Sequence, residues 1–222
     1  SDGFIQHIDG SVQWLASREV SARTLLLSGT ASPGLGDNLT LPQVDTLHWR
    51  GNDSADDLAG VLRCLPNLTA IHQASGVMVD ASLTPNLRLL AVEGYPAAFS
   101  PPFVGSCSQL QELRIRHFKL KSGLVGRLVE CCSNLMLLEV SMFSVAFDNI
   151  LKLLRACSCL EELILHDTQD IDMAALLAFP NIKRLAVLLC EHFAIGSAVE
   201  LAVSAIVLRP DLEHLRTDVF EY

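Results

Sequence analysis

Along residues 107–165 one pattern of apolar and polar positions occurs three times: CSQLQELRI at 107–115, CSNLMLLEV at 132–140 and CSCLEELIL at 157–165, with starts 25 residues apart. Each copy reads C-x-x-L-x-x-L-x-φ, where φ is apolar. The alternation in its second half is that of a strand with one buried face. Alignment on the first leucine-like residue extends the phrase to nine anchors: Ala22, Val44, Leu68, Leu87, Leu110, Leu135, Leu160, Ile182 and Leu212. Their spacings are 22, 24, 19, 23, 25, 25, 22 and 30. Strand side chains alternate between faces, so the anchor and positions +3 and +5 beyond it point into a core. Positions +2, +4 and +6 point to the other face.

The segments between phrases predict the returns. Residues 55–65, 123–131, 147–157, 172–179 and 198–208 carry apolar residues at helical spacing and read as helices. Ser54 or Asp53, Ser122 and Asp148 are their candidate N-caps. The returns at 76–85 and 96–106 contain Pro85, Pro96, Pro101 and Pro102 and are not expected to be full helices. At the start, Phe4, Ile5, Ile8, Val12 and Leu15 have roughly helical spacing. This predicts a capping helix within 1–19 that shields the open end of the first repeat.

A period of 20 to 29 residues with this grammar is the signature of a leucine-rich repeat. The expected fold is therefore α/β, a continuous leucine-rich-repeat solenoid of eight or nine repeats over residues 20–222. Its curved parallel sheet lines the concave side, with helices and irregular segments on the convex side. Cys107, Cys132 and Cys157, each three residues before an anchor leucine, together with helical returns and a period near 25, give the chain a closer likeness. It resembles the cysteine-containing repeats of F-box/leucine-rich-repeat proteins, and the resemblance implies the substrate-receptor part of a ubiquitin ligase. The Asn or Cys of that pattern, eight positions past the anchor, is met by Asn52 and Cys190. Thr30, Gly76, Tyr95, Phe118, Phe143 and Thr168 stand there in other repeats. These residues contain no F-box helical module, so ligase recruitment is not carried by them.

Composition narrows the partner. A formal charge of −9 points away from nucleic acid, whose phosphates call for an excess of Lys and Arg. The absence of an apolar run of about 18 residues gives no expectation of membrane insertion. The first residues lack the basic start and apolar stretch of a secretory signal. Seven cysteines, mostly at repeat or return positions, read as reduced core residues of a cytoplasmic or nuclear protein. Sequons at Asn38, Asn52 and Asn67 support the alternative, a secreted recognition protein binding a protein or glycan ligand.

The outward columns give a candidate surface without any coordinates. His48, Arg50, His72, Glu93, Arg114 and Arg116 form a mixed polar group, and Leu89, Leu137, Ile164 and Leu188 form an apolar run. With Glu112, Glu139 and His166 they constitute the candidate binding face, apolar residues beside Arg and His being the make-up of a protein-binding patch. The competing reading is a solvated surface with internal ion pairs, Glu112 with Arg114 and Glu139 with Arg116. The run HDTQDID, with His166, Asp167, Asp170 and Asp172, offers metal-ligand types. It also lies at a strand-to-helix turn, where Asp serves as a turn and N-cap residue, and the turn reading is favoured. Neither Cys131–Cys132 nor Cys157–Cys159 has zinc spacing, and SPGLGDN at 32–38 lacks the Lys-Ser/Thr of a phosphate loop. The expectation is a non-enzymatic recognition module that binds another protein and uses no cofactor or metal.

Overall fold

The computed structural model describes residues 4–7, 23–29, 40–51, 55–74, 79–93, 103–104, 108–116, 133–141, 147–166, 172–189 and 211–219. The chain is α/β and divides into two compact units, Ser1–Leu110 and Gln111–Tyr222. The first carries parallel strands β1 (Phe4–His7), β2 (Thr24–Gly29), β3 (Thr46–Gly51), β4 (Ala70–Gln73) and β6 (Leu89–Glu93), hydrogen-bonded in that order. Helix α1 (Ala55–Arg63) follows β3, and β5 (Val79–Asp80) pairs with β7 (Phe103–Val104) as a separate two-stranded sheet. In the second unit β8 (Glu112–Arg116), β9 (Leu137–Ser141), β10 (Glu162–His166), β11 (Arg184–Leu189) and β12 (His214–Val219) form consecutive parallel neighbours. Helix α2 (Phe147–Ala156) connects β9 to β10, and α3 (Met173–Leu177) lies between β10 and β11.

Register follows the sequence columns. Position +2 sits opposite +2 and +4 opposite +4 on the next strand, as in Leu26↔His48, His48↔His72 and Arg114↔Glu139. The reason is visible in the backbone. The carbonyl one residue past an anchor accepts from two successive N–H groups of the following strand, as Arg23 does from Asp45 and Thr46 (2.9 and 3.2 Å) and Glu161 from Lys183 and Arg184 (2.8 and 3.0 Å). A slip of one residue would break these bonds and turn each apolar set outward.

The core is built from the inward columns. Anchors Val44, Leu68, Leu87, Leu110, Leu135, Leu160 and Ile182 are buried, as are Leu25, Leu47, Ile71, Leu90, Leu113, Leu138, Leu163 and Leu185 at +3. Leu58, Val61 and Leu62 of α1, and Ile150, Leu153 and Leu154 of α2, are buried too, so each helix turns its apolar face to the interior of its own unit. Burial of a leucine side chain contributes about 2 kcal/mol. A stripe of them therefore outweighs the weak strand propensity of any single phrase. Among the described side chains of these columns, Gln73 at +5 of β4 is the buried polar one. In the last repeat Leu212 and Leu215 are half-buried rather than buried.

Several expectations for the returns hold. Helices occupy 55–63, 147–156 and 173–177, and the described part of the Pro-containing return at 76–85 holds a short strand at Val79–Asp80 and a 3-10 turn at Ala81–Leu83. Asp148 is not the cap expected of it, because α2 begins at Phe147. It lies inside the first turn, where a carboxylate still opposes the helix dipole. The N-terminal reading needs correction: residues 4–7 form a strand, Phe4↔Thr24 through His7↔Leu27. The edge of β2 offers a row of backbone groups to pair with, whereas a short helix must bear its own nucleation cost. Residues 8–19 lie outside the described residues, as do the returns at 123–131 and 198–208 and the candidate caps Asp53, Ser54 and Ser122.

Candidate functional site

The candidate residues fall in both units. In the first, His48 and His72 are direct partners on β3 and β4. Their rings stack with centroids 4.5 Å apart and planes 7° from parallel. Leu26 and Ala91 stand on either side in the same row, so the imidazoles sit on an otherwise apolar strip. Burial, and then the charge of Arg50, lowers the His48 pKa, which keeps that ring neutral near pH 7. Arg50 and Glu93 are exposed at +6 of β3 and β6.

The second unit gathers Glu112, Arg114, Arg116, Leu137, Glu139, Ile164 and His166 on three adjacent strands. Glu139 lies at the centre. Its side chain is only 1% exposed, which corrects its assignment as a surface contact. Arg116 Nε donates to Oε1 at 2.5 Å, His166 Nε2 approaches the same oxygen at 2.7 Å, and Arg114 Nη1 stands 3.6 Å from Oε2. An ionised carboxylate only accepts, so the His166 tautomer must carry its hydrogen on Nε2. Arg114 Nη2 also donates to Glu112 Oε2 at 3.2 Å. Burial by itself would raise the Glu139 pKa. The hydrogen bonds from His166 and Arg116, with the charges of both, outweigh it and bring the pKa down to about 2.

A carboxylate held at that pKa carries no proton near neutrality, so it is poorly matched to acid or base work there. What the cluster does is hold Arg116 and His166 in one arrangement, with Arg114 shared between Glu112 and Glu139. The arginine side chains remain 35% and 40% exposed. The two ion pairs expected as the competing reading, Glu112 with Arg114 and Glu139 with Arg116, are both present. Leu137 and Ile164 stay half-buried beside them, while Leu188 is buried and drops out of the apolar run.

Sequence reading missed three features. Glu162 and Arg184, at the same +2 position on β10 and β11, pair at 2.8 Å, and Lys183 pairs with Glu161 at 3.0 Å one column away. Opposite charges in one column of neighbouring phrases were the available signal. The second is a ladder of asparagines one residue before the anchor. Asn67 Nδ2 donates to the Pro42 carbonyl (2.8 Å), Asn86 to Pro66 (3.4 Å) and Asn181 to Ser158 (2.6 Å). Each acceptor stands two residues before the preceding anchor, so the sequon residue Asn67 has a structural role. The third is Trp49 Nε1, buried on β3 with no hydrogen-bond partner among the described residues.

The Asp-rich turn resolves as a cap: Asp172 Oδ1 accepts from the Ala175 amide at 3.0 Å at the start of α3. Asp167 and Asp170 lie outside the described residues, with Cys107, Cys131, Cys132 and Cys190 and the sequons Asn38 and Asn52. Among the described residues no group of three His, Cys, Asp or Glu side chains could hold a metal ion. None of the described helices is long and apolar enough to cross a membrane. Cys64 and Cys157 are buried free thiols and Cys159 is an exposed one. No protein-family model and no curated protein matches the chain.

Proposed function

We propose that the chain is a leucine-rich-repeat solenoid acting as a non-enzymatic recognition module, which binds another protein on the strand face carrying positions +2, +4 and +6. The observation that carries this reading is the Glu139 cluster. A buried carboxylate accepts from Arg116 and His166 and holds both in place, with Arg114 3.6 Å away, beside the half-buried Leu137 and Ile164. Polar groups ordered before binding lose little side-chain entropy on association, which makes a rigid mosaic of this kind a good docking surface. The cysteine-repeat resemblance extends the reading to a substrate receptor of a ubiquitin ligase. Its compartment would be cytoplasmic or nuclear, with free thiols at Cys64, Cys157 and Cys159 in keeping with that.

The test is capture of a partner from source-cell extract by the wild-type chain and by folded variants. Leu137→Arg and Ala186→Arg place bulk on the strand face, and Lys152→Glu alters the exposed side of α2. Loss of a specific partner with the first two and retention with the third supports the reading. Retention by both strand-face variants, or loss with Lys152→Glu, overturns it.

A further inference from the structure

Row +2 of the second unit sets Glu112, Leu137 and Glu162 directly opposite one another on β8, β9 and β10. The two glutamates stand two strand spacings apart, roughly 10 Å between Cα atoms, with an apolar side chain between them. Each gives Oε2 to an arginine: Glu112 to Arg114 Nη2 at 3.2 Å, Glu162 to Arg184 Nε at 2.8 Å. Neither Oε1 accepts a hydrogen bond from the described residues. The side chains are 38% and 25% exposed, so these oxygens can be reached from solvent.

A second observation comes from the interior. Glu139 Oε2 is buried without a hydrogen bond from the described residues, and Arg114 comes no closer to Glu139 than Nη1 at 3.6 Å from this oxygen. Arg114 is thus divided between two carboxylates and completes only the contact to Glu112. An acceptor left buried and unmet is a standing energetic cost. A cation that relieved Glu112 of Arg114 would let that arginine close on Glu139.

We propose that a lysine side chain of the protein partner lies along Leu137 between Glu112 and Glu162, and that its arrival releases Arg114 to complete the hydrogen bonding of Glu139. This rests on the strand-face reading above and names the chemistry of its partner. The four-carbon stem of lysine matches the apolar floor, and its compact ammonium has three donors for the carboxylate oxygens. An acidic side chain fits worse, because it would compete with buried Glu139 for that residue's own arginines. The net charge of −9 also favours the approach of a basic segment.

The test uses the whole chain and a fluorescent acetyl-Lys-Lys-Lys-amide peptide at physiological ionic strength, read by anisotropy, with the Glu-Glu-Glu peptide as control. The lysine peptide binds. Glu112→Gln and Glu162→Gln each weaken it roughly tenfold, while Asp148→Asn, which removes an exposed charge on α2, leaves it unchanged. The Arg114 side-chain nitrogen resonances shift on titration of the wild type and stay still in Glu112→Gln. Equal weakening by Asp148→Asn means diffuse attraction and overturns the proposal, as do equal binding of the glutamate peptide, no binding of the lysine peptide, or an Arg114 signal that does not move. If the peptide fails while Leu137→Arg still abolishes partner capture, the lysine seat falls and the strand-face reading stands. If Leu137→Arg and Ala186→Arg both leave capture intact, the reading itself falls.

Discussion

Arg116 Nε lies 2.5 Å from Glu139 Oε1 across neighbouring strands, and the two partners are buried to very different degrees, 40% against 1% exposed. Loss of the arginine leaves a buried carboxylate short of its strongest donor, whereas loss of the glutamate leaves arginines that water can reach. Arg116→Met is expected to destabilise the chain by about 3 kcal/mol, and Glu139→Met by clearly less. The double variant Arg116→Met/Glu139→Met recovers part of the single loss. Urea unfolding of the three variants checks the order. A double change at Arg114 and Arg116 would likewise strip Glu139, so loss of binding in it would report on folding as much as on contact.

The same carboxylate sets an acid limit. Its folded pKa of about 2 lies below the unfolded value of 4.5, so its stabilisation is present above pH 4.5 and disappears as pH falls through 2. The difference corresponds to about 3 kcal/mol. Unfolding free energies of the wild type should therefore fall more steeply than those of Glu139→Gln between pH 4.5 and 2. Parallel curves would remove Glu139 as the cause.

His48 responds in a different window. Its pKa is lowered in the folded state, so the unfolded chain takes up a proton first as pH falls below 6.5, and stability declines from there. Burial of the ring, and then the charge of Arg50 on the same strand, make a charge at His48 unwelcome. His48→Leu, which continues the apolar row from Leu26, should flatten the loss below pH 6.5 and be more stable than the wild type at pH 5 relative to pH 7.5. Thermal unfolding at pH 7.5 and pH 5 separates the two proteins.

The strand faces were legible in the sequence because a two-residue period and a repeat near 24 residues together determine which side chains share a row. His48 beside His72 and Arg114 beside Glu139 follow from counting alone. Depth was not legible. Glu139 and Glu112 occupy outward positions two columns apart, and what buries the first is the crowd of Arg114, Arg116 and His166 from both adjacent strands. Leu188 is buried although its column points outward. The start was misread because Phe4, Ile5 and Ile8 fit helical spacing equally well, and only the unpaired edge of β2 decides for a strand.

Thiol chemistry offers an independent check on the core. Burial, with a smaller contribution from Cys159, pushes the Cys157 pKa up to about 11, and burial likewise raises that of Cys64. Thiolate is the reactive form, so both should resist alkylation while exposed Cys159 reacts. Iodoacetamide at pH 8 followed by peptide mapping should label Cys159 at least tenfold faster than Cys157 in the folded chain, with the difference lost in denaturant.

The asparagine ladder makes a prediction about repeat-to-repeat cohesion. Asn67, Asn86 and Asn181 each tie the turn before a strand to the turn before the preceding one, through one side-chain amide and one backbone carbonyl. The bonds are solvent-exposed, so each contributes about 1 kcal/mol. Asn67→Ala and Asn181→Ala should each cost that much in urea unfolding. Asn67→Asp should cost more, because it replaces the donor with a charge facing the Pro42 carbonyl. The shorter contacts at 2.8 and 2.6 Å, against 3.4 Å for Asn86, rank Asn86→Ala as the mildest of the alanine variants. If all three alanine variants matched the wild type, the ladder would be a geometric accident of the turns, and Asn67 would again be open to reading as a glycan acceptor.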